Sequence, residues 1–260
     1  MMLLKFHGTG AGDPAADRGA SALTATFSNG SVALFDAGEG ASRGMLRDHV
    51  DLLQLSTVAI SHTHADHWCG LPGLLTALAV AKRTRPLVIR AHPVALRFLQ
   101  QAALHSHLFP ERLSFAIHWE PLSPFPLPDG WTCSPIPNTH ARSVQDLASQ
   151  HQVCAAAFSF LLRKRGTPGV CLSQDLGSEG DLRGSLEGCG LLVCESAHVS
   201  LENVVAMAAA AGVRRVVFTH IPPRGIDFPS STPQLEVTVA TDGLAIEVEE
   251  GLTLPENALA

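Results

Sequence analysis

The sequence predicts an α/β protein built from layers of β-strand and helix. Three observations carry this. Apolar runs of β character alternate with helical stretches along all 260 residues. Hydrophobic residues make up 46% and charged residues 16% of the chain, which is enough to bury a core and too little charge for disorder. Metal-ligand and acid–base side chains recur just past the ends of apolar runs, where layered folds assemble their sites. At this length the chain reads as one domain over residues 1–260.

The elements follow in order. A short leading strand through Phe6 enters the turn Gly8-Thr9-Gly10-Ala11-Gly12. Ala22–Phe27 and Val32–Phe35 read as a hairpin around Asn29-Gly30. Asp36-Ala37-Gly38-Glu39-Gly40 leads to a helix over 41–48. Residues 57–60 form a strand, and a helix over 71–82 has Pro72 in its first turn, where a missing N–H costs nothing. Leu87–Ala91 is a strand, and Pro93 opens a helix over 92–103. The Pro-rich segment 121–128 reads as a surface loop, too short for a domain linker.

Residues 131–136 form a strand delivering Asn138-Thr139-His140. Segment 141–152 is longer than a simple connection and reads equally as a loop facing the substrate or as a plain surface loop. Strands over 155–162 and 169–172 flank the turn 163–168, and the second ends at Ser173-Gln174-Asp175. A strand over 191–194 leads into Glu195-Ser196-Ala197-His198. Ser200 caps a helix over 201–211, and Gly212 closes it. A strand over 213–218 delivers Thr219-His220. Runs 235–240 and 244–248 read as a final hairpin around Thr241-Asp242-Gly243.

The formal net charge is −6, so the whole chain carries no electrostatic footprint for nucleic acid, although bound cations would make a site locally positive. No apolar run reaches the 18 or so residues that span a bilayer. The first six residues show no signal-peptide pattern, which reads as cytoplasmic. The six cysteines contain no C-x-x-C pair and read as buried free thiols. The glycines of 8–12 are followed by no helix, so they are a tight turn, with backbone N–H groups available to a phosphate, and not a dinucleotide loop.

The densest chemistry lies in Ser61-His62-Thr63-His64-Ala65-Asp66-His67, directly behind the 57–60 strand. On a strand His62 and His64 point the same way, because side chains repeat every two residues. Asp66 and His67 fall in the turn into the next helix. One metal ion can take the two strand histidines and a second can take Asp66 and His67; such a donor set suits zinc, and also iron or manganese. A lone histidine is ordinarily a surface or core residue, and a lone Asp175 is ordinarily a turn former. Glu195 and His198 have equally plain readings as a helix-start acid and a surface histidine. But His62/His64, His140, Asp175, Glu195 and His220 all follow strand ends, and together they read as one site.

These residues resemble the metallo-β-lactamase superfamily, whose signature is H-x-H-x-D-H followed by a distant His, an Asp and a final His. Phe6–Gly12, Asp36–Gly40 and Thr219-His220 look like its ribonuclease Z branch, and the resemblance covers nearly the whole chain. It implies a four-layer αβ/βα sandwich, with two mixed sheets face to face, helices outside and metals at one edge. It implies that His62, His64 and His140 bind one metal, that Asp66, His67 and His220 bind another, and that Asp175 bridges two Zn2+ (or Mn2+ or Fe2+). Asp66 would also orient the attacking hydroxide. Glu195 and His198 match positions where ribonuclease Z enzymes carry a catalytic Glu and His outside the metals. There His198 would protonate the leaving oxygen and Glu195 would hold its ring.

Ribonuclease Z enzymes insert a long tRNA-gripping arm between the motifs of His140 and Asp175. Here that interval is 35 residues and its turn 163–168 is short. The usual Gly-Asp-Thr at the bridging Asp is Gln174-Asp175-Leu176. The final 235–248 segment looks similar to the C-terminus of armless relatives, which include phosphodiesterases of cyclic nucleotides and cyclic sugar phosphates. The expectation is therefore a dinuclear metal hydrolase cleaving a small or cyclic phosphodiester. It carries a small anionic substrate, no tRNA and no membrane, and a homodimer by family inference. The alternatives are a ribonuclease Z-type tRNA 3′ endonuclease and a lactone, thioester or sulfate-ester hydrolase; a non-catalytic metal-binding protein comes last.

Overall fold

Runs rich in Val, Leu, Ile and Phe are buried on both faces here, as β2 and β3 show, because each sheet is covered on both sides. The structure is a computed structural model that describes residues 1–248. The first sheet holds β1 (Met2–Gly8), β2 (Ala22–Phe27), β3 (Val32–Phe35), β4 (Leu55–Ala59), β5 (Leu87–Ala91) and β6 (Ile117–Pro121). The second holds β7 (Phe125–Pro126), β8 (Thr132–Asn138), β9 (Ala157–Lys164), β10 (Thr167–Leu172), β11 (Cys189–Glu195), β12 (Arg215–Thr219) and β13 (Glu236–Val239). The last strand, β14 (Ala245–Val248), returns to the first sheet.

The strand orders are β14-β1-β2-β3-β4-β5-β6 and β13-β12-β11-β10-β9-β8-β7. Each sheet is antiparallel on one side and parallel on the other, the change falling at β3 and at β10. Between the sheets lies a core that includes Leu4, Phe6, Trp131 and Leu162, with the rings of Phe35 and Phe160 5.2 Å apart.

Helices cover the outer faces. On the first sheet these are α1 (Ala41–Arg47), α3 (Leu71–Val80) and α4 (Pro93–His105), behind the short α2 (Ala65–Trp68). Helix α3 buries Leu71, Leu74, Leu75 and Leu78, a spacing that puts all four on one face. On the second sheet α6 (Leu201–Ala210) buries Leu201, Val204 and Ala208, and the Ser200 hydroxyl accepts from the Asn203 N–H as its cap. The result is the four-layer αβ/βα sandwich. Among the described residues no helix is long and apolar enough to cross a membrane.

Three expectations are corrected. Residues 235–240 and 244–248 do not form a hairpin: β13 pairs with β12 and β14 pairs with β1, so the turn between them crosses from sheet to sheet. The cause is local. The Asp242 carboxylate accepts from the Thr9 N–H and hydroxyl and from the Gly19 N–H, and Gly243, at φ 91°, donates to the Phe6 carbonyl at 2.7 Å. Segment 141–152 is helical: a 3-10 turn over His140–Val144 runs into α5 (Gln145–His151). Segment 121–128 is not plain loop, because Phe125 and Pro126 form β7, with Phe125 buried under the Arg90 guanidinium.

Candidate metal centre

Strand ends from both sheets converge on one cleft. Residues 61–64 follow β4, and α2 presents Asp66 and His67. His140 follows β8, Asp175 follows β10, His198 lies three residues past Glu195 at the end of β11, and His220 follows β12. The side chains fall into two groups: His62, His64, His140 and Asp175; and Asp66, His67, Asp175 and His220. Within each group one ligand-type atom per residue lies within 4.8 Å of all the others.

Asp175, almost fully buried, belongs to both groups through different oxygens. Its Oδ2 faces His62 Nε2 at 3.7 Å and His140 Nε2 at 3.5 Å. Its Oδ1 faces His67 Nε2 at 3.2 Å and His220 Nε2 at 3.4 Å. Asp66 Oδ2 closes the second group, 3.3 Å from His67 Nε2 and 3.9 Å from His220 Nε2. In the first group His64 Nδ1 and His140 Nε2 approach to 3.1 Å.

The donor set fits divalent cations. His62 Nε2, His67 Nε2 and Asp175 Oδ1 are buried and have no hydrogen-bond partner among the described residues. Such atoms are costly to leave unmatched. The opposite ring nitrogens are tied down: His62 Nδ1 to Ser61 Oγ at 3.0 Å, His67 Nδ1 to Asp36 Oδ2 at 2.6 Å, His220 Nδ1 to Ser21 Oγ at 3.2 Å and His140 Nδ1 to the Leu176 carbonyl at 3.3 Å. Each bond turns Nε2 inward, which is how outer partners orient metal-binding imidazoles. Burial pushes His62, His64 and His220 down, toward the neutral imidazole that a metal requires. Burial opposes charge on Asp175 too, but His67 and His220 hold its carboxyl well below the usual range. His67 is the exception: against its burial, Asp175 and Asp36 draw it up, so two buried carboxylates already call for positive charge here.

Two features escaped the sequence reading. Asp36, fully buried, accepts at Oδ1 from the Ser61 N–H at 2.7 Å. At Oδ2 it accepts from the Ser61 hydroxyl at 2.7 Å, His67 Nδ1 at 2.6 Å and the Gln174 amide at 2.9 Å. The sequence reading placed Asp36 in a family-like turn, Asp36–Gly40, but gave it no role at the site; its place at the end of β3 was the further signal. Secondly, Asp36, Gln174 and His220 all sit in the left-handed region, at φ 58°, 48° and 54°. Five other described non-glycine residues (His49, Lys82, His107, Asp129 and Gln152) share this conformation, so what bears on the site is that it recurs where three strands end beside the cleft.

Glu195 is buried, and its carboxylate accepts from the N–H groups of Leu176, Ala197 and His198 while facing His198 Nδ1 at 3.3 Å. That hydrogen bond raises His198 above its ordinary value. The His198 ring lies over the junction of the two groups, 4.9 Å from the His140 ring and 5.8 Å from that of His220.

Two mixed sheets facing each other, with a paired His/Asp cluster where their strands end, define an αβ/βα sandwich with a candidate site for two divalent cations. The sequence profile of the metallo-beta-lactamase superfamily matches residues 19–134. Ribonuclease Z of Shouchella clausii is 32% identical over 181 residues, which are 69% of this chain and 54% of that relative. Ribonuclease Z of Methanosarcina mazei is 38% identical over 89 residues, 34% of this chain and 29% of the relative. The chain thus spans about half the length, or less, of these curated relatives. The fold matches the short form of human tRNase Z with a TM-score of 0.73 at 21% identity, covering 95% of this chain and 99% of that one. The chain belongs to the metallo-beta-lactamase superfamily, in its ribonuclease Z-like branch, and the fold with its His/Asp cluster implies divalent metal binding.

Proposed function

We propose that the protein is a cytoplasmic dinuclear zinc hydrolase that cleaves small or cyclic phosphodiesters. In this reading His62, His64 and His140 would hold one ion and Asp66, His67 and His220 the other, with Asp175, which belongs to both groups, serving each of them. The imidazole and carboxylate donors suit Zn2+, with Mn2+ or Fe2+ as alternatives. A pair of such ions supplies Lewis acidity and offsets the charge of a phosphoryl group. The remaining work falls to this chain. Asp66 orients the attacking water and takes its proton. His198 carries a proton on its ring and delivers it to the leaving oxygen, while Glu195 fixes that ring through Nδ1.

The observation that carries the reading is the Glu195–His198 pair above the junction of the two groups. A poor alkoxide leaving group needs such an acid; an acyl ester with a good leaving group needs it little. Small substrates are favoured by what lies between His140 and Asp175: a 3-10 turn, α5 and the tight β9–β10 hairpin, with no extended arm among the described residues. The six free cysteines accord with a reducing compartment.

A second reading, a ribonuclease Z-type endonuclease acting on tRNA, is favoured by the relatives that carry that name. Zinc-reconstituted protein, assayed on bis(4-nitrophenyl) phosphate, 2′,3′-cyclic nucleotides and a precursor tRNA, separates the two. Turnover of the small diesters without tRNA cleavage is the expected result. Two bound zinc ions with no turnover of any small diester would refute the proposal.

A further inference from the structure

We infer that the active site carries an apolar subsite on the His62/His64 side, built by the segment 141–156, which takes an uncharged aryl or short alkyl ester group of the substrate. This deepens the phosphodiesterase reading and rests on it for the position of the phosphate.

The helix α5 and its 3-10 lead-in are the starting point. Val144, Leu147, Ala148 and His151 recur at helical spacing, so they share one face. A stripe of this kind normally rests on a core, yet only Ala148 of the four is buried. Val144 and Leu147 stay 42% and 57% exposed, and Val153, just past the helix, 59%. Three aliphatic side chains left open on one short segment are a patch that awaits a partner.

What they face identifies the partner. The stripe and Val153 form one wall of a cavity of about 250 Å³, and His62, Thr63 and His64 form another. The cavity is therefore continuous with the first ligand group, and a molecule whose phosphate sits at His62, His64 and His140 extends into it. Among the described residues no Lys, Arg, Asp or Glu lines it, so it offers none of the permanently charged side chains that grip a second phosphate or a nucleic-acid backbone. The opposite flank, beside Asp66, contrasts with it: that cavity has Arg18, Arg43 and the backbone of Gly10 to Gly12 in its walls. Size points the same way. An apolar cavity of about 150 Å³ accepts benzene, so this one has room for a ring with a short substituent.

The test uses zinc-reconstituted full-length protein and two monoesters, phenyl phosphate and methyl phosphate, titrated by calorimetry. Both offer the same dianionic head, so their difference reads the apolar group alone. The expected result is phenyl phosphate binding about tenfold or more tighter, the scale of apolar discrimination in such pockets. In the double variant Val144→Ser/Leu147→Ser, at exposed positions that leave the core intact, the ratio falls below about threefold on the same scale. Equal affinities in the wild type, or a phenyl preference that survives the double variant, would overturn the subsite. Absence of all diester turnover with the phenyl preference intact would sink the phosphodiesterase reading and still support the subsite.

Discussion

Replacing Asp36 by Asn tests whether this buried carboxylate sets the metal centre. The substitution keeps shape and, since Asn tolerates the left-handed region as Asp does, leaves the backbone at φ 58° unstrained relative to the wild type. What changes is the count of acceptors. Oδ1 receives one bond and Oδ2 receives three. An amide can present only one oxygen, and its cheaper orientation puts that oxygen at the three-donor position. The NH2 group then faces the Ser61 N–H, and one buried donor pair is left unmatched at roughly 1–3 kcal/mol. The bond from His67 also loses its charge assistance, about 1 kcal/mol more. The metal-free protein should therefore lose about 2–4 kcal/mol, read from urea unfolding by tryptophan fluorescence. Loss of the carboxylate that fixes the His67 ring should also weaken the Asp66/His67/His220 metal by roughly 10–100-fold in chelator competition. An unchanged unfolding midpoint together with wild-type affinity for both metals would show the reasoning to be wrong.

Other outcomes follow from the same contacts. His198→Ala should lower kcat on a 2′,3′-cyclic nucleotide by roughly 10²–10⁴-fold and affect a nitrophenyl diester far less, with metal content unchanged; equal losses on both substrates would remove the acid role. A Cβ on Gly38 would lie 2.1 Å from the Asp66 carbonyl oxygen, so Gly38→Ala should displace α2, destabilise by about 1–3 kcal/mol and reduce occupancy of the second metal, as read by denaturation and metal analysis. Stability should also fall in acid in two stages. Burial lowers His7 below its ordinary 6.5, so the unfolded chain takes up that proton first; the stability from neutral His7 is complete above 6.5 and drains as pH falls below it. Burial would raise Asp48, but hydrogen bonds from Arg47 and His7 hold it below its ordinary 3.8, so its share is lost only below that pH. Because burial lowers His62, His64 and His220 as well, unfolding titrations of His7→Gln should show a smaller first stage than the wild type, and a second stage reduced only by the loss of the His7 hydrogen bond to Asp48.

The His/Asp cluster around residues 62–67 was legible because its information is local. Four donors within six residues, and a donor after each of several apolar runs, survive in the sequence whatever the runs pair with. Pairing itself did not. The alternation in 235–248 marks two strands, but period-2 patterning says nothing about which neighbour a strand joins, and the Asp242 anchor that sends them to different sheets involves Thr9 and Gly19, more than two hundred positions away. Helix α5 was hidden for a different reason. Its spacing is helical, yet its apolar stripe is short and is interspersed with turn-favouring Ser and Asp, so local preference pointed to a loop. The strand end and the turn Asp36–Gly40 marked the position of Asp36 but not its role, which lies in partners contributed by residues 61, 67 and 174.

The strained residues link these threads. Asp36, Gln174 and His220 come directly after or just beyond β3, β10 and β12, and each turns the chain abruptly where a strand ends. A gentler exit would carry Asp36, Asp175 and His220 past the cleft instead of into it. The left-handed conformation costs about 1–2 kcal/mol per residue, so three of them consume about 3–6 kcal/mol, a sizeable fraction of an ordinary domain's stability of about 5–15 kcal/mol. Such a cost is tolerated only where surrounding bonds fix the backbone. They do: Asp36 N–H donates to Ala59, Ala37 N–H to His67, and Ile221 N–H to Thr9, at 2.8–2.9 Å. These bonds join β3 to β4, the first sheet to α2, and the end of β12 to the turn after β1. The backbone ties that hold the strain thus also hold the ligand-bearing segments of both sheets in register, which leaves the site preorganised before any cation arrives.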